Sequence, residues 1–138
     1  MSATIIERPT TGQLIEALTR FADTAGMKAA ISTVEGWDVR DDEEPMFAVI
    51  DVTCSLQHGL SLALHTLPGY GLMPGESPKG DDALSVSEFV AQVEAFASVL
   101  RGRAGWDAPV RWGANGQSPY AIIRALELWP ERGIVINA

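Results

Sequence analysis

The segment from Met46 to Leu56 constrains the fold most, because its side chains alternate between apolar and polar. Such alternation is typical of a β-strand that buries one face. Gly59 can adopt the positive φ of a tight turn, after which Leu60, Leu62 and Leu64 alternate again. We therefore predict a β-hairpin over this part of the chain. The predicted apolar face of its first strand comprises Ala48, Ile50, Val52, Cys54 and Leu56.

A helix is the alternative for the second half of this hairpin. Four leucines there are spaced so that they would also line one face of a helix. They are Leu56, Leu60, Leu64 and Leu67. We favour the hairpin, because a glycine at position 59 would weaken a helix there.

Two other segments carry the signature of a helix N-terminus. Thr10 is followed by Gln13 at the spacing of a capping box, and Ser85 is followed by Glu88 in the same way. After each box, apolar residues recur at intervals of three and four, as they do along one face of a helix. We predict an amphipathic helix directly after each box.

The remaining predicted elements are shorter. Residues 27–34, 109–112 and 134–136 are predicted strands. Ser118 suits an N-cap and Pro119 suits the first helical position, so a third helix is expected after them. The inner face of this helix would comprise Ile122, Ile123, Leu126 and Trp129.

This order of elements predicts an α+β fold. Neighbouring strands joined by a short turn must be antiparallel. We therefore expect an antiparallel or mixed sheet of four to five strands, with two to three helices packed on one face. A length of 138 residues is common for one domain, and we assign residues 1–138 to a single domain.

Charge restricts the partners that this chain can bind. The formal net charge is −8, which opposes attraction to phosphate backbones, so we expect no direct nucleic-acid binding. Residues 1–98 carry 15 acidic and 5 basic residues, a net of −10, whereas residues 99–138 carry 3 and 5, a net of +2. The sequence shows no signal peptide and no membrane-spanning run. We expect the protein in the cytoplasm, or in a particle assembled there, without membrane contact.

Few residues of this chain could perform chemistry. Cys54 is the candidate nucleophile, with Asp51, His58 and His65 as the nearby acid and bases. It falls on the apolar face of the predicted strand, where a thiol packs as a small hydrophobic group. One cysteine and two histidines, without a metal-binding spacing, do not match the ligand set of a zinc site. We predict no catalytic residues, no metal site and no cofactor.

Loop aromatics and an acidic run are the predicted binding residues. The four aromatics are Trp37, Tyr70, Trp106 and Trp112. They lie in or beside glycine-rich loops, and aromatic residues are favoured anchors in protein interfaces. Trp37 directly precedes the acidic run, and an aromatic anchor beside a charged rim suits a protein-docking loop. The acidic residues of this prediction are Asp38, Asp41, Asp42, Glu43 and Glu44.

These observations favour a non-catalytic protein that binds a protein partner or self-associates. The order of elements also resembles, in architecture alone, small viral joining proteins such as the tail terminators of long-tailed phages. That resemblance implies an assembly role as a structural component of a virion. Two alternatives stay open, an acidic inhibitor that mimics nucleic acid and a small enzyme whose site only the fold assembles.

Overall fold

The computed structural model describes residues 3–37, 47–66, 83–114, 117–119 and 121–138. The described strands are β1 (Thr4–Glu7), β2 (Glu35–Trp37), β3 (Phe47–Ser55), β4 (Gly59–Thr66), β5 (Arg111–Ala114), β6 (Ala121–Ile122), β7 (Ala125–Trp129) and β8 (Gly133–Asn137). The described helices are α1 (Thr11–Thr24), α2 (Met27–Ile31) and α3 (Val86–Leu100), with a 3-10 helix at Ala104–Asp107.

The strands form one mixed sheet in the order β1-β7-β8-β2-β3-β4-β5-β6. β2 pairs with β8 and β4 with β5 in parallel, and the other neighbouring pairs are antiparallel. The predicted α+β class with a mixed sheet is confirmed, but the prediction of four to five strands is wrong, because the described residues form eight. Three of the unpredicted strands, β1, β2 and β6, have only two to four residues. Segments this short show little alternation in a sequence.

Both capping boxes begin long helices, as predicted. The Thr10 hydroxyl accepts a hydrogen bond from the Gln13 backbone N–H at 3.2 Å, and the Ser85 hydroxyl accepts one from the Glu88 backbone N–H at 3.1 Å. In return, the backbone N–H of Thr10 donates to Gln13 Oε1 at 2.9 Å, and the backbone N–H of Ser85 donates to Glu88 Oε1 at 3.0 Å. Within the described ranges, no helix is long and apolar enough to cross a membrane.

The β3–β4 hairpin is confirmed, and Gly59 in its turn has a φ of +75°. The pairing register shifts between Val49 and Asp51, at a β-bulge. A bulge inserts an extra residue and thereby reverses the alternation of the residues beyond it. Val49 and Val52 consequently both join the core. The predicted common face is therefore wrong, because Ala48 alternates with the core residue Val49 and lies on the other side of the sheet from Val52 and Cys54.

The predicted third helix is wrong, because this part of the chain forms β6 and β7. Leu126 and Leu128 are buried and alternate with less buried neighbours, which is the period of a strand. All five residues of β7 pair with β8, so tertiary pairing overrides the local signals for a helix. Trp129, predicted on the inner face of that helix, lies on the opposite side of β7 from Leu128.

The predicted strand over residues 27–34 is also wrong, because its first five residues form α2. Ala29 is fully buried whereas Ile31 is 74% exposed, so these two residues do not share a face. The Ser32 hydroxyl donates to the Lys28 carbonyl at 2.7 Å. Met, Lys and Ala have higher intrinsic helix propensity than β propensity, which accounts for the short helix.

The hydrophobic core lies between α1, α3 and one face of the sheet, which we call the inner face. The strand residues that alternate with inner-face residues form the outer face. Inner-face residues of β3, β7 and β8 include Val49, Val52, Leu126, Leu128, Ile134 and Ile136.

Candidate functional site

Three adjacent strands, β7, β8 and β2, bring polar and aromatic side chains together on the outer face. The pairing registers place Val135 of β8 between Glu127 of β7 and Glu35 of β2. Asn137 of β8 lies beside Trp37 of β2. Because paired residues of neighbouring strands point to the same face of a sheet, these five residues share one surface.

The carboxylate of Glu127 holds two neighbouring side chains in place. Trp129 Nε1 donates to Glu127 Oε1 at 3.0 Å, and Asn137 Nδ2 donates to Glu127 Oε2 at 2.6 Å. Trp129 follows Glu127 by two positions on β7, so both side chains point to the outer face. The indole and the amide are therefore held by a common acceptor.

The guanidinium of Arg132 contacts both outer-face residues of β2. Arg132 Nε and Nη2 lie 3.1 and 2.9 Å from Glu35 Oε2. Arg132 Cζ lies 5.6 Å from the centroid of the Trp37 ring, within cation–π distance. Arg132 belongs to the turn between β7 and β8 and precedes Gly133, whose φ of +130° favours glycine.

These contacts define one surface feature, which we call the outer-face cluster. It offers aromatic surface, one cation, two carboxylates and an amide to a ligand. Val135 in its middle is only 3% exposed, and the Trp37 indole N–H is buried with no acceptor among the described residues. In the described part of the chain, no three acidic, histidine or cysteine side chains are grouped to hold a metal ion. The outer-face cluster comprises Glu35, Trp37, Glu127, Trp129, Arg132 and Asn137.

The binding residues predicted from the sequence fall in different places. Trp37 belongs to the outer-face cluster, whereas Trp106 and Trp112 are half-buried against the core. The Trp106 indole lies over Gly12 of α1, where an added Cβ would clash with it. The Trp112 ring centroid is 5.9 Å from that of Phe47. The other predicted residues, Asp38, Asp41, Asp42, Glu43, Glu44 and Tyr70, lie outside the described residues.

The sheet register separates the residues of the alternative catalytic site. Cys54 pairs with Leu60 and packs against the core, whereas His65 pairs with Ala48 on the outer face. His58 is exposed in the hairpin turn. Burial raises the pKa of the Cys54 thiol, which disfavours the thiolate that a nucleophile requires. Cys54 and His65 lie on opposite faces of the sheet, so they do not form a nucleophile–base pair.

Five of the six residues in the outer-face cluster are not among the binding residues predicted from the sequence. Glu127 and Trp129 fell in the predicted third helix, although their alternation with Leu126 and Leu128 is a strand signal that could have found them. Glu35 and its partner in the turn after β7 are 97 positions apart, and no local pattern marks such a pair.

Comparisons of the chain with protein-family models, with curated proteins and with solved structures found no match.

Proposed function

We propose that this chain is a non-catalytic protein that binds another protein through the outer-face cluster. The observation that carries the proposal is the stacking of Arg132 on half-buried Trp37, on the same sheet surface as Trp129. Tryptophan and arginine are the residue types that most often dominate the binding energy of protein interfaces. Here they are concentrated on the outer face, on the side of the sheet opposite to the core shared with α1 and α3.

The internal contacts of the cluster favour binding by reducing its entropic cost. A free arginine side chain carries about 2 kcal/mol of rotamer entropy, part of which is lost when a partner immobilises it. Arg132 is already restrained by Glu35 and by the Trp37 ring, although its side chain keeps 47% of its surface exposed. The guanidinium is thus both ordered and accessible to a partner.

Charge supports a protein partner over a nucleic acid. The cluster contains two carboxylates and one guanidinium, and the whole chain has a formal net charge of −8. Phosphate backbones are bound mainly through an excess of basic side chains, which this surface lacks. A partner surface with a carboxylate for the exposed guanidinium edge and apolar groups for the indoles would suit the cluster.

Self-assembly in the cytoplasm, or in a virus-like particle assembled there, belongs to the same proposal. It is supported by the uneven charge along the chain, a net of −10 over residues 1–98 against +2 over residues 99–138. The architectural resemblance to viral joining proteins loses its basis, because it assumed a helix over the residues that form β6 and β7. The acidic-inhibitor alternative depends on Asp41, Asp42, Glu43 and Glu44, which the structure does not describe. Reversing their charges would abolish inhibition under that alternative and would leave docking through the outer-face cluster intact.

The proposal is tested by partner capture followed by an affinity measurement. The tagged chain is recovered with its bound proteins from the organism that encodes it, and a recovered partner is purified for surface plasmon resonance. Arg132→Ala and Trp37→Ala should each weaken binding by about 30-fold or more, the loss expected for an interface hot spot.

Arg20→Ala is the matched control, because Arg20 is an exposed arginine on α1 and lies outside the outer-face cluster. It should bind the partner as the unaltered chain does. The proposal is rejected when no protein is recovered in stoichiometric amount, or when Arg132→Ala and Arg20→Ala bind equally well.

A further inference from the structure

A second surface, on the helical side of the molecule, consists of an apolar groove between α1 and α3. The groove has a volume of about 260 Å³. Its walls are mainly small apolar side chains, and Glu94 of α3 is the charged residue among its described lining. The apolar walls include Ala22, Ala25, Ala30, Val90 and Ala91.

Two large apolar side chains protrude beside this groove. Met27 is 85% exposed and Ile31 is 74% exposed, the two highest values among the exposed large hydrophobic residues of the described chain. Met27 lies three positions before Ala30, which is part of the groove wall, and therefore shares a helix face with it. Ile31 lies four positions after Met27, so the two exposed side chains form one apolar row along α2 beside the groove.

The size and chemistry of the groove fit inserted side chains better than a small molecule. Ligand pockets usually measure roughly 300–1,000 Å³ and present several converging polar groups. This groove is smaller, and its polar lining side chains are Ser87 and Glu94. Ser87 already donates to the Ala30 carbonyl at 3.0 Å. An apolar protrusion from a protein surface is therefore the fitting occupant.

We infer that the occupant is α2 of a second copy of this chain, in a two-fold symmetric dimer. A two-fold interface requires one surface that complements itself, and this surface carries protruding apolar groups directly beside an apolar recess. The charges agree, because α2 carries the basic Lys28 and the groove carries the acidic Glu94. Each copy would insert Met27 and Ile31 into the groove of the other and place its lysine near the partner's glutamate.

This inference goes beyond the proposed function, because it concerns the helical side and uses no residue of the outer-face cluster. Lys28 also lines a recess with Glu35 and Arg132 of that cluster, so Ile31→Asp is the variant that separates the two. Loss of dimerisation in Ile31→Asp would leave partner binding through Trp37 untouched, and loss of partner binding in Trp37→Ala would leave the dimer intact.

Sedimentation equilibrium of the full chain over a wide concentration range tests the dimer. The mass should rise from 14.8 kDa to twice that value as the concentration increases. Ile31→Asp should raise the dimer dissociation constant by about 30-fold or more, because it places an unpaired charge in an apolar interface. Ile122→Asp is the matched control, because Ile122 is 47% exposed on β6, away from the groove, and it should dimerise normally.

Exchanging the two charges distinguishes the proposed dimer, which pairs Lys28 with Glu94, from non-specific hydrophobic association. Lys28→Glu and Glu94→Lys should each weaken the dimer about two- to fivefold, and the double variant should recover the original dissociation constant. Far-ultraviolet circular dichroism should show that all variants remain folded, since the four substituted side chains are exposed. A monomer at every concentration, or a dimer that survives Ile31→Asp, would overturn the inference.

Discussion

The two faces of strand β7 differ in what holds their side chains. On the inner face, Leu126 and Leu128 are buried in a core shared with α1 and α3. On the outer face, Glu127 and Trp129 are held by hydrogen bonds within the sheet surface. Consecutive residues are therefore held in different ways, by apolar burial on the inner face and by hydrogen bonds between polar side chains on the outer face.

The four tryptophans of the chain divide between the two sides of the sheet. Trp106 and Trp112 pack against the core, where burial of their large apolar surface stabilises the fold. Trp37 and Trp129 lie on the outer face, where one contacts a guanidinium and the other a carboxylate. Substitutions on each side should therefore separate effects on stability from effects on binding.

The largest effect is expected at the inner face. Leu126→Ala should lower the free energy of unfolding by about 2–5 kcal/mol, because it leaves a cavity at a fully buried position. Denaturant unfolding followed by circular dichroism measures this change. The control is Glu127→Gln on the opposite face, which keeps the shape of the side chain and should cost less than about 1 kcal/mol. Equal losses for the two variants would contradict the assignment of the faces.

A smaller loss is expected where Trp106 covers Gly12. Gly12→Ala should destabilise the protein by about 1–3 kcal/mol, because its Cβ would displace the indole from α1. Tryptophan fluorescence should shift to longer wavelength as the indole gains water. Gly26→Ala is the control, because a Cβ there meets only the Pro130 carbonyl at 3.4 Å. An unchanged spectrum for Gly12→Ala would show that Trp106 does not pack against α1.

Within the outer-face cluster, removal of the common acceptor should have a moderate effect. Glu127→Ala leaves the Trp129 indole N–H and the Asn137 amide without their acceptor, at a cost of about 1 kcal/mol. Glu127→Gln keeps one carbonyl acceptor and should fall between Glu127→Ala and the unaltered chain. A thermal unfolding series ranks the three proteins. Stability of Glu127→Ala equal to that of the unaltered chain would mean that these bonds do not order the outer face.

The elements predicted correctly are those whose signals lie within a few residues. Thr10 with Gln13, and Ser85 with Glu88, identify helix starts from contacts three positions apart. The β3–β4 hairpin is equally local, because Gly59 lies between two alternating runs. These elements can be predicted because the residues that form the sequence pattern also make the contacts that stabilise the element.

The elements predicted wrongly are those decided by distant partners. The apolar residues of β7 fit both a helix stripe and a strand, and pairing with β8 selects the strand. The bulge in β3 shifts the core-facing position from Ile50 to Val49, and the sequence shows no signal for it. The outer-face cluster has the same origin, since Glu35 and Arg132 meet only once β2 and β8 are adjacent. Only Trp37 of this cluster was predicted as a binding residue.

A weak effect on stability is expected from the ion pair of the outer face. Glu35→Gln should cost about 0.2–1 kcal/mol, because Arg132 is half exposed and water competes for its charge. The difference from the unaltered chain should shrink in about 1 M salt, where the screening length is about 3 Å. Denaturant midpoints of both proteins at low and at high salt measure this difference in stability. A cost above that range, unaffected by salt, would indicate that the pair is more deeply buried than the structure shows.

The smallest effect is expected at Cys54, where pH tests its place on the inner face. Burial raises the pKa of this thiol above its ordinary value of 9.0, so the folded chain keeps the proton after the unfolded chain has lost it. The contribution of the buried, protonated thiol to the free energy of unfolding is therefore fully present below pH 9.0. It is lost as the pH rises through the pKa of the folded state. Relative to Cys54→Ala, the unaltered chain should lose stability between about pH 8 and pH 10, near the ordinary thiol range. Urea unfolding of both proteins at the two pH values measures this difference, and an equal relative stability at both values would place the thiol in water instead of against the core.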